Sequence, residues 1–288
     1  MRLASFRTDG GVRPGIIRGD RIVDAGGLYV SAEDIVVAGD EALERLGELE
    51  DAHSVPLDDV ELAPPLAPRS VYCVGWNYLK HFEEGAAKRD EELPEHPAFF
   101  SKSVGSVVGP HDDVPLHESV TSKLDYEVEL TVVIGRAGST IDPGDALQHV
   151  FGYTVGNDVS AREVQRRHGG QWLKGKSLDG TCPLGPWIVT RDEIPDPQTV
   201  EVISRVNGEE RQRSTTELMM FPVADLVSRL SEGMTLYPGD VLLTGTPEGV
   251  GMGMEPQVWL AGGDVVECEI PAIGSLRNVI KAGSGVST

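Results

Sequence analysis

Glu127, Glu129 and Asp158 are the residues of this 288-residue chain whose types and spacing best suit chemistry. The two glutamates lie in the run Leu124-Asp125-Tyr126-Glu127-Val128-Glu129-Leu130-Thr131-Val132-Val133-Ile134. In a strand, alternation puts both on one face and Tyr126, Val128, Leu130 and Val132 on the other. Two carboxylates so close repel each other unless water or a cation screens them. A strand with its polar face in water accounts for the same alternation. Asp158 adds a third oxygen donor: Phe151 to Val155 reads as a strand that ends at Asn157-Asp158, ahead of a helix with Ser160 near its start. Asn-Asp at such a place also commonly makes a cap or a turn. Three oxygen ligands with no Cys or His nearby suit a hard cation, Mg²⁺ or Mn²⁺, with Ca²⁺ also open.

Three further segments carry reactive side chains. If the chain is helical from Tyr78, His81 and Glu84 lie three residues apart on one face, and the carboxylate can orient the imidazole and raise its basicity. A surface pair without function has the same spacing. The stretch from Trp172 to Pro186 reads as a Gly/Pro-interrupted loop presenting Lys174 and Lys176, where a lysine near a metal could balance carboxylates or stabilise an oxyanion. From Gly239 to Gly251 a strand runs into a Gly-rich turn that lacks the ending of a phosphate loop, which argues against nucleotide binding. Its backbone donors and Thr246 could still grip a carboxylate.

The elements that must position these groups are mostly strands. Short β-rich runs at 71–74, 98–100, 126–134, 151–155, 187–190, 200–206, 241–244 and 265–270 are separated by Gly/Pro turns, with helical patterns chiefly at 78–88, 160–167 and 222–232. That arrangement points to an α+β, mostly β catalytic domain and not to an alternating parallel-sheet fold. A hairpin about Gly19-Asp20 and a short helix over 40–49 suggest a small N-terminal unit, and the Pro-rich stretch Ala63 to Pro68 reads as a joint. The expected division is a small domain at 1–67 and a catalytic domain at 68–288.

A net charge of −21 opposes a nucleic-acid partner, which would need clustered Lys and Arg. It also repels small anions at long range, so an anionic substrate must be captured locally. Cys73, Cys182 and Cys268 are odd in number and far apart, suggesting neither a disulfide framework nor a thiolate zinc site. With no apolar signal run and no stretch long enough to span a membrane, the expectation is a cytoplasmic protein.

Taken in order, the segments resemble one family. The series Val-Gly-x-Asn-Tyr-x-x-His-x-x-Glu, Asp-Tyr-Glu-Val-Glu-Leu, Gly-Tyr-x-x-x-Asn-Asp-Val-Ser-Ala-Arg, Gly-Lys-Ser-x-Asp-x-x-Cys-Pro-x-Gly-Pro and Leu-x-Thr-Gly-Thr-Pro-x-Gly-Val-Gly is similar to the fumarylacetoacetate hydrolase superfamily from about Ser70 to Ile280. The resemblance implies the family's β-roll catalytic domain, a homodimer, and Mg²⁺ or Mn²⁺ at Glu127, Glu129 and Asp158. It implies that His81 and Glu84 form a water-activating dyad on a lid within the charged run from His81 to Glu95, and that Lys176 is the active-site lysine. By position, Lys102, Arg162 and Thr246 become candidate substrate contacts. Trp76 stands where many relatives carry Arg, and Ser101 to Ser106 replaces a more usual Lys-Pro-x-Ser-Ser run, so both alter the pocket rim.

The function implied is hydrolytic C–C cleavage of an acylpyruvate or 2,4-dioxo acid, a small anionic oxo acid, through a metal-stabilised pyruvate enolate. The alternative is a decarboxylase or isomerase of an oxo or unsaturated dicarboxylate, of the oxaloacetate or homoprotocatechuate-pathway type, which passes through a similar enolate. A non-catalytic metal or carboxylate binder is disfavoured, because binding alone would not require His81.

Overall fold

The computed structural model describes residues 1–50, 54–86 and 92–283. The run 87–91 of the expected lid and the last five residues of the expected catalytic domain lie outside the described residues.

Strand outweighs helix along the chain, as expected for a mostly β protein. An eleven-stranded sheet runs in the order Ser54–Pro56, Arg21–Asp24, Gly11–Arg18, Arg2–Thr8, Cys182–Thr190, Val150–Asn157, Val128–Ile134, Val241–Leu243, Val71–Gly75 and Ala98–Lys102, with Val107–Val108 joined to Cys182–Thr190. A five-stranded sheet of Glu209–Thr215, Glu201–Val206, Val265–Ile270, Gly274–Lys281 and Val114–Pro115 packs against it. A two-stranded bridge pairs Ser160–Ala161 with Leu124–Asp125.

Val128–Ile134 lies inside the large sheet, antiparallel to Val150–Asn157 on one side and Val241–Leu243 on the other. Every one of its seven residues is buried. The sequence alternation therefore divides two interior faces and not a wet face from a dry one. Leu130 and Val132 join an apolar cluster with Tyr153, Leu226 and Leu276, while Val133 joins a second cluster with Phe151, Ile188 and Ile35. Gly156, opposite Glu129, has no room for a side chain: a Cβ there would come within 2.4 Å of the Thr131 hydroxyl.

The N-terminal strands continue this sheet through Leu3 opposite Ile188. A division at residue 67 thus separates units that share one sheet. The hairpin about Gly19-Asp20 forms, with Arg18 opposite Arg21. Three elements depart from the expectation. A helix over Ala32–Ala38 starts at a capping box between Ser31 and Asp34. Lys174 and Lys176 stand on a helical turn, Leu173–Lys176, and not on an open loop. Ser160 does not cap a helix: it pairs with Asp125 in the bridge, and its hydroxyl donates to the Asp158 carbonyl at 2.8 Å. Among the described residues, no helix is long and apolar enough to cross a membrane.

Candidate metal centre and active site

The three carboxylates converge because two chain segments are stitched together where the regular pairing of their strands ends. The Asp158 amide donates to the Glu127 carbonyl at 2.9 Å, and the Glu127 amide donates to the Asn157 side chain at 3.0 Å. Glu127, Glu129 and Asp158 are all buried, and each offers an oxygen within 4.8 Å of the others.

Positive side chains neutralise two of them. Lys176 places its ammonium 2.7 Å from both Glu127 Oε2 and Asp158 Oδ2. Arg162 reaches Glu127 Oε1 at 2.7 Å and donates through Nε to Asp125 at 2.8 Å. Lys102 holds Asp158 Oδ1 at 2.8 Å and the Val159 carbonyl at 3.2 Å. Burial alone would raise the Glu127 carboxyl, but Lys176 and Arg162 outweigh it and hold the group well below the usual carboxylate range. Burial would likewise lower Lys176, yet Asp158 and Glu127 keep it raised and charged.

Glu129 differs. Its hydrogen bond comes from the Gly245 amide, at 2.6 Å, and burial followed by repulsion from Asp158 and Glu127 pushes its carboxyl well above the ordinary value. Four carboxylates, including Asp125, thus meet three cations in one buried region. An all-oxygen donor set in which Glu129 has no cationic partner among the described residues fits a hard divalent cation.

The Gly-rich turn does grip carboxylates, but they are the protein's own. Besides Gly245 on Glu129, Gly249 donates to Glu84 Oε1 at 2.6 Å, and Gly251 and Met252 donate to Asp125 at 2.8 and 3.1 Å. Gly245 has φ of +97°, a conformation that glycine adopts without strain. Thr246 donates to the Val128 carbonyl at 2.9 Å and accepts from Gln212 at 2.8 Å, so its hydroxyl is already engaged on both sides.

Helix Leu79–Ala86 carries His81 and Glu84, with His81 Nδ1 3.2 Å from Glu84 Oε2. Asn77 anchors the approach to it through the carbonyls of Thr244 and Phe221, at 2.8 and 3.0 Å. His81, Glu84, Glu127, Glu129, Arg162, Lys176 and Thr246 line a single cavity of about 390 Å³. Lys102 and Asp158 do not reach the wall of that cavity; they are buried and bound to each other behind it. One side of the cavity is aromatic: Trp172 packs edge-on against Trp76 and Phe100, with ring centres 4.6 and 5.1 Å apart. Trp76 itself has φ of +54°, which is uncommon for so bulky a residue.

Sequence reasoning passed over Asp125, Gln212 and Arg166. Asp125 sits two residues before Glu127, and extending the strand alternation by one step would have flagged it. Gln212 accepts the Val128 amide at 3.1 Å and holds Thr246, a role that no local pattern announces.

A mostly β fold with a buried carboxylate triad, two of whose members line one cavity with an ion-paired lysine and a histidine–glutamate pair, defines an enzyme-type site. Residues 70–281 match the family described as fumarylacetoacetate (FAA) hydrolase, C-terminal, and the chain belongs to that family. Among its relatives is oxaloacetate tautomerase YisK of Bacillus subtilis, 46% identical over 226 residues, covering 78% of this chain and 74% of that protein. A solved fumarylacetoacetate hydrolase from Exiguobacterium antarcticum superposes with a TM-score of 0.87 at 41% identity, over 98% of this chain and all of that one. The maleylpyruvate hydrolase of Sphingobium sp. SYK-6, solved in complex with manganese(II) ion and pyruvate, gives 0.79 at 29% identity, over 99% of this chain and all of the other.

Proposed function

We propose that this chain is a divalent-cation-dependent isomerase of 2-oxo dicarboxylates that interconverts the enol and keto forms of oxaloacetate. The observation that carries the reading is that His81, with Nδ1 held by Glu84, shares one cavity with Glu127 and Glu129 of the three-carboxylate cluster. The relation to an oxaloacetate tautomerase favours isomerisation over cleavage. Mg²⁺ or Mn²⁺ at Glu127, Glu129 and Asp158 supplies positive charge beside a developing enolate.

The chain's own residues then have separate tasks. Glu84, fixed by the Gly249 amide, holds the imidazole ring and leaves Nε2 to exchange protons. In the enol-to-keto direction the enol hydroxyl releases its proton to solvent, and His81 as imidazolium delivers one to the neighbouring carbon. Neutral His81 recovers a proton from solvent, so none is gained or lost overall. Lys176 keeps a positive charge at the cluster, which favours an anionic substrate in an otherwise acidic protein.

The C–C hydrolysis expected from the sequence ranks second, supported by the likeness to a maleylpyruvate hydrolase. In that reaction His81 would take its proton from water. The test follows decay of the oxaloacetate enol absorbance with Mg²⁺-loaded protein, alongside cleavage of an acylpyruvate. The expected result is faster enol decay, reduced roughly 10²–10⁴-fold in His81→Ala. Acylpyruvate cleavage without any acceleration of enol decay would put hydrolysis in its place.

A further inference from the structure

Arg162 and Arg166 stand four residues apart on helix Arg162–Arg167, so they share a side of it, and both line the cavity. Their surroundings differ. Arg162 is buried and bound to Asp125 and Glu127. Arg166 is exposed at the mouth, where its Nη2 donates to the Met252 thioether at 3.0 Å. A thioether is a weak acceptor, so the fork of Arg166 keeps most of its hydrogen-bonding capacity. Among the described residues, none gives Arg166 a carboxylate partner, whereas Lys102, Lys176 and Arg162 are each ion-paired within the protein.

Met252 belongs to the Gly-rich turn that fixes Glu129, Glu84 and Asp125. The Arg166 guanidinium therefore crosses from the helix to that turn at the cavity mouth. A planar, permanently charged fork so placed matches a carboxylate in two-point geometry. In a protein of net charge −21, long-range attraction for a dianion is absent, and a local cation must do the selecting.

We infer that Arg166 is a specificity-determining residue that binds the second carboxylate of a dicarboxylate substrate, the one remote from the carboxylate triad. This rests on the isomerase reading for the identity of the substrate, though not for the binding itself. The chemical class is a four-carbon 2-oxo or 2-hydroxy dicarboxylate; the corresponding monocarboxylate lacks the group that Arg166 reads.

Malate and lactate differ by that one carboxylate and are stable, so they serve as probes. Calorimetric titration of the Mn²⁺-loaded protein should show malate binding more tightly than lactate by roughly tenfold, as expected for a charge-assisted hydrogen bond. Arg166→Gln should bring the ratio close to one, and Arg166→Lys should retain part of it, which mere loss of packing would not produce. In turnover of oxaloacetate, the Gln variant should raise KM with little change in kcat. Equal binding of malate and lactate by the unaltered protein, or an unchanged ratio in Arg166→Gln, overturns the inference. If the ratio collapses as expected while the unaltered protein fails to accelerate enol decay, the Arg166 assignment stands and the isomerase reading falls.

Discussion

The Gly249 amide donates to Glu84 Oε1 at 2.6 Å, and the other oxygen of the same carboxylate lies 3.2 Å from His81 Nδ1. Glu84 thereby ties the helix carrying the proposed proton-transfer group to the turn that also restrains Glu129 through Gly245. One side chain sets the histidine's orientation relative to the carboxylate triad. The space around it is tight, since a Cβ on Gly253 would fall 2.7 Å from the Glu84 carboxyl carbon.

Glu84→Ala should consequently lower kcat by about 10²-fold through loss of a correctly held imidazole, because proton transfer depends on geometry as well as basicity. Mn²⁺ affinity should hold, as Glu84 is not among the proposed ligands. Amide exchange over residues 79–86 should quicken with the tether to Gly249 gone. Unchanged turnover would show that the imidazole needs no such support.

Glu129→Gln tests the cation site most cleanly. The replacement is nearly isosteric and its carbonyl can still accept from Gly245, while the charge disappears. Calorimetry should find Mn²⁺ affinity weakened by at least roughly 10²-fold, by loss of a charged ligand and by analogy with disrupted metal sites. Folding should be preserved, with circular dichroism unchanged. Retained affinity would remove Glu129 from the ligand set.

Glu129 also predicts how the ion-free protein responds to pH. Its carboxyl is raised by burial and by Asp158 and Glu127, so the folded state holds that proton more tightly than the unfolded state. The resulting stability is complete below the unfolded value near 4.5 and is lost as pH rises through the folded value. Glu127 is shifted the other way, and its contribution changes only below that same unfolded value. In chelator, the unfolding temperature should fall as pH rises from about 5 toward 8, a trend that Glu129→Gln should flatten. Saturating Mn²⁺ should restore stability by preferential binding to the folded form. A rising unfolding temperature across this range would contradict the assignment.

How far the sequence discloses such a site depends on the range of the contacts involved. Glu127 and Glu129 were readable because strand alternation is local, and Asn157-Asp158 because a strand ending is local. Their burial was not readable: it comes from pairing Val128–Ile134 with strands at 150–157 and 241–243. Asp125 owes its place to Arg162, Gly251 and Met252, well over thirty residues away in sequence. Lys176 is legible as a charge, but its helical turn depends on Gly175, where a Cβ would strike the Gln165 amide nitrogen at 2.3 Å. The Ala32–Ala38 helix, by contrast, carries a local signal in the capping pair Ser31 and Asp34.

Lys174 and Lys176 share that turn and make a controlled comparison. Lys174 is exposed, with its charge in water, so Lys174→Met should alter stability by no more than about 0.5 kcal/mol. Lys176 is buried between Glu127 and Asp158, and Lys176→Met leaves two carboxylate oxygens facing each other without the ammonium between them. Breaking a buried ion pair from one side costs about 3–5 kcal/mol. Arg162 and Lys102 still hold the opposite oxygens of the two acids, which places the expected loss toward the lower end of that range. Chemical denaturation of the ion-free variants measures the difference directly. Added Mn²⁺ should narrow the gap, since a divalent charge at the triad relieves the same repulsion, whereas it should leave Lys174→Met where it was relative to the unaltered protein. Equal stability of the two variants without metal would mean that the Lys176 ammonium is not what keeps Glu127 and Asp158 together.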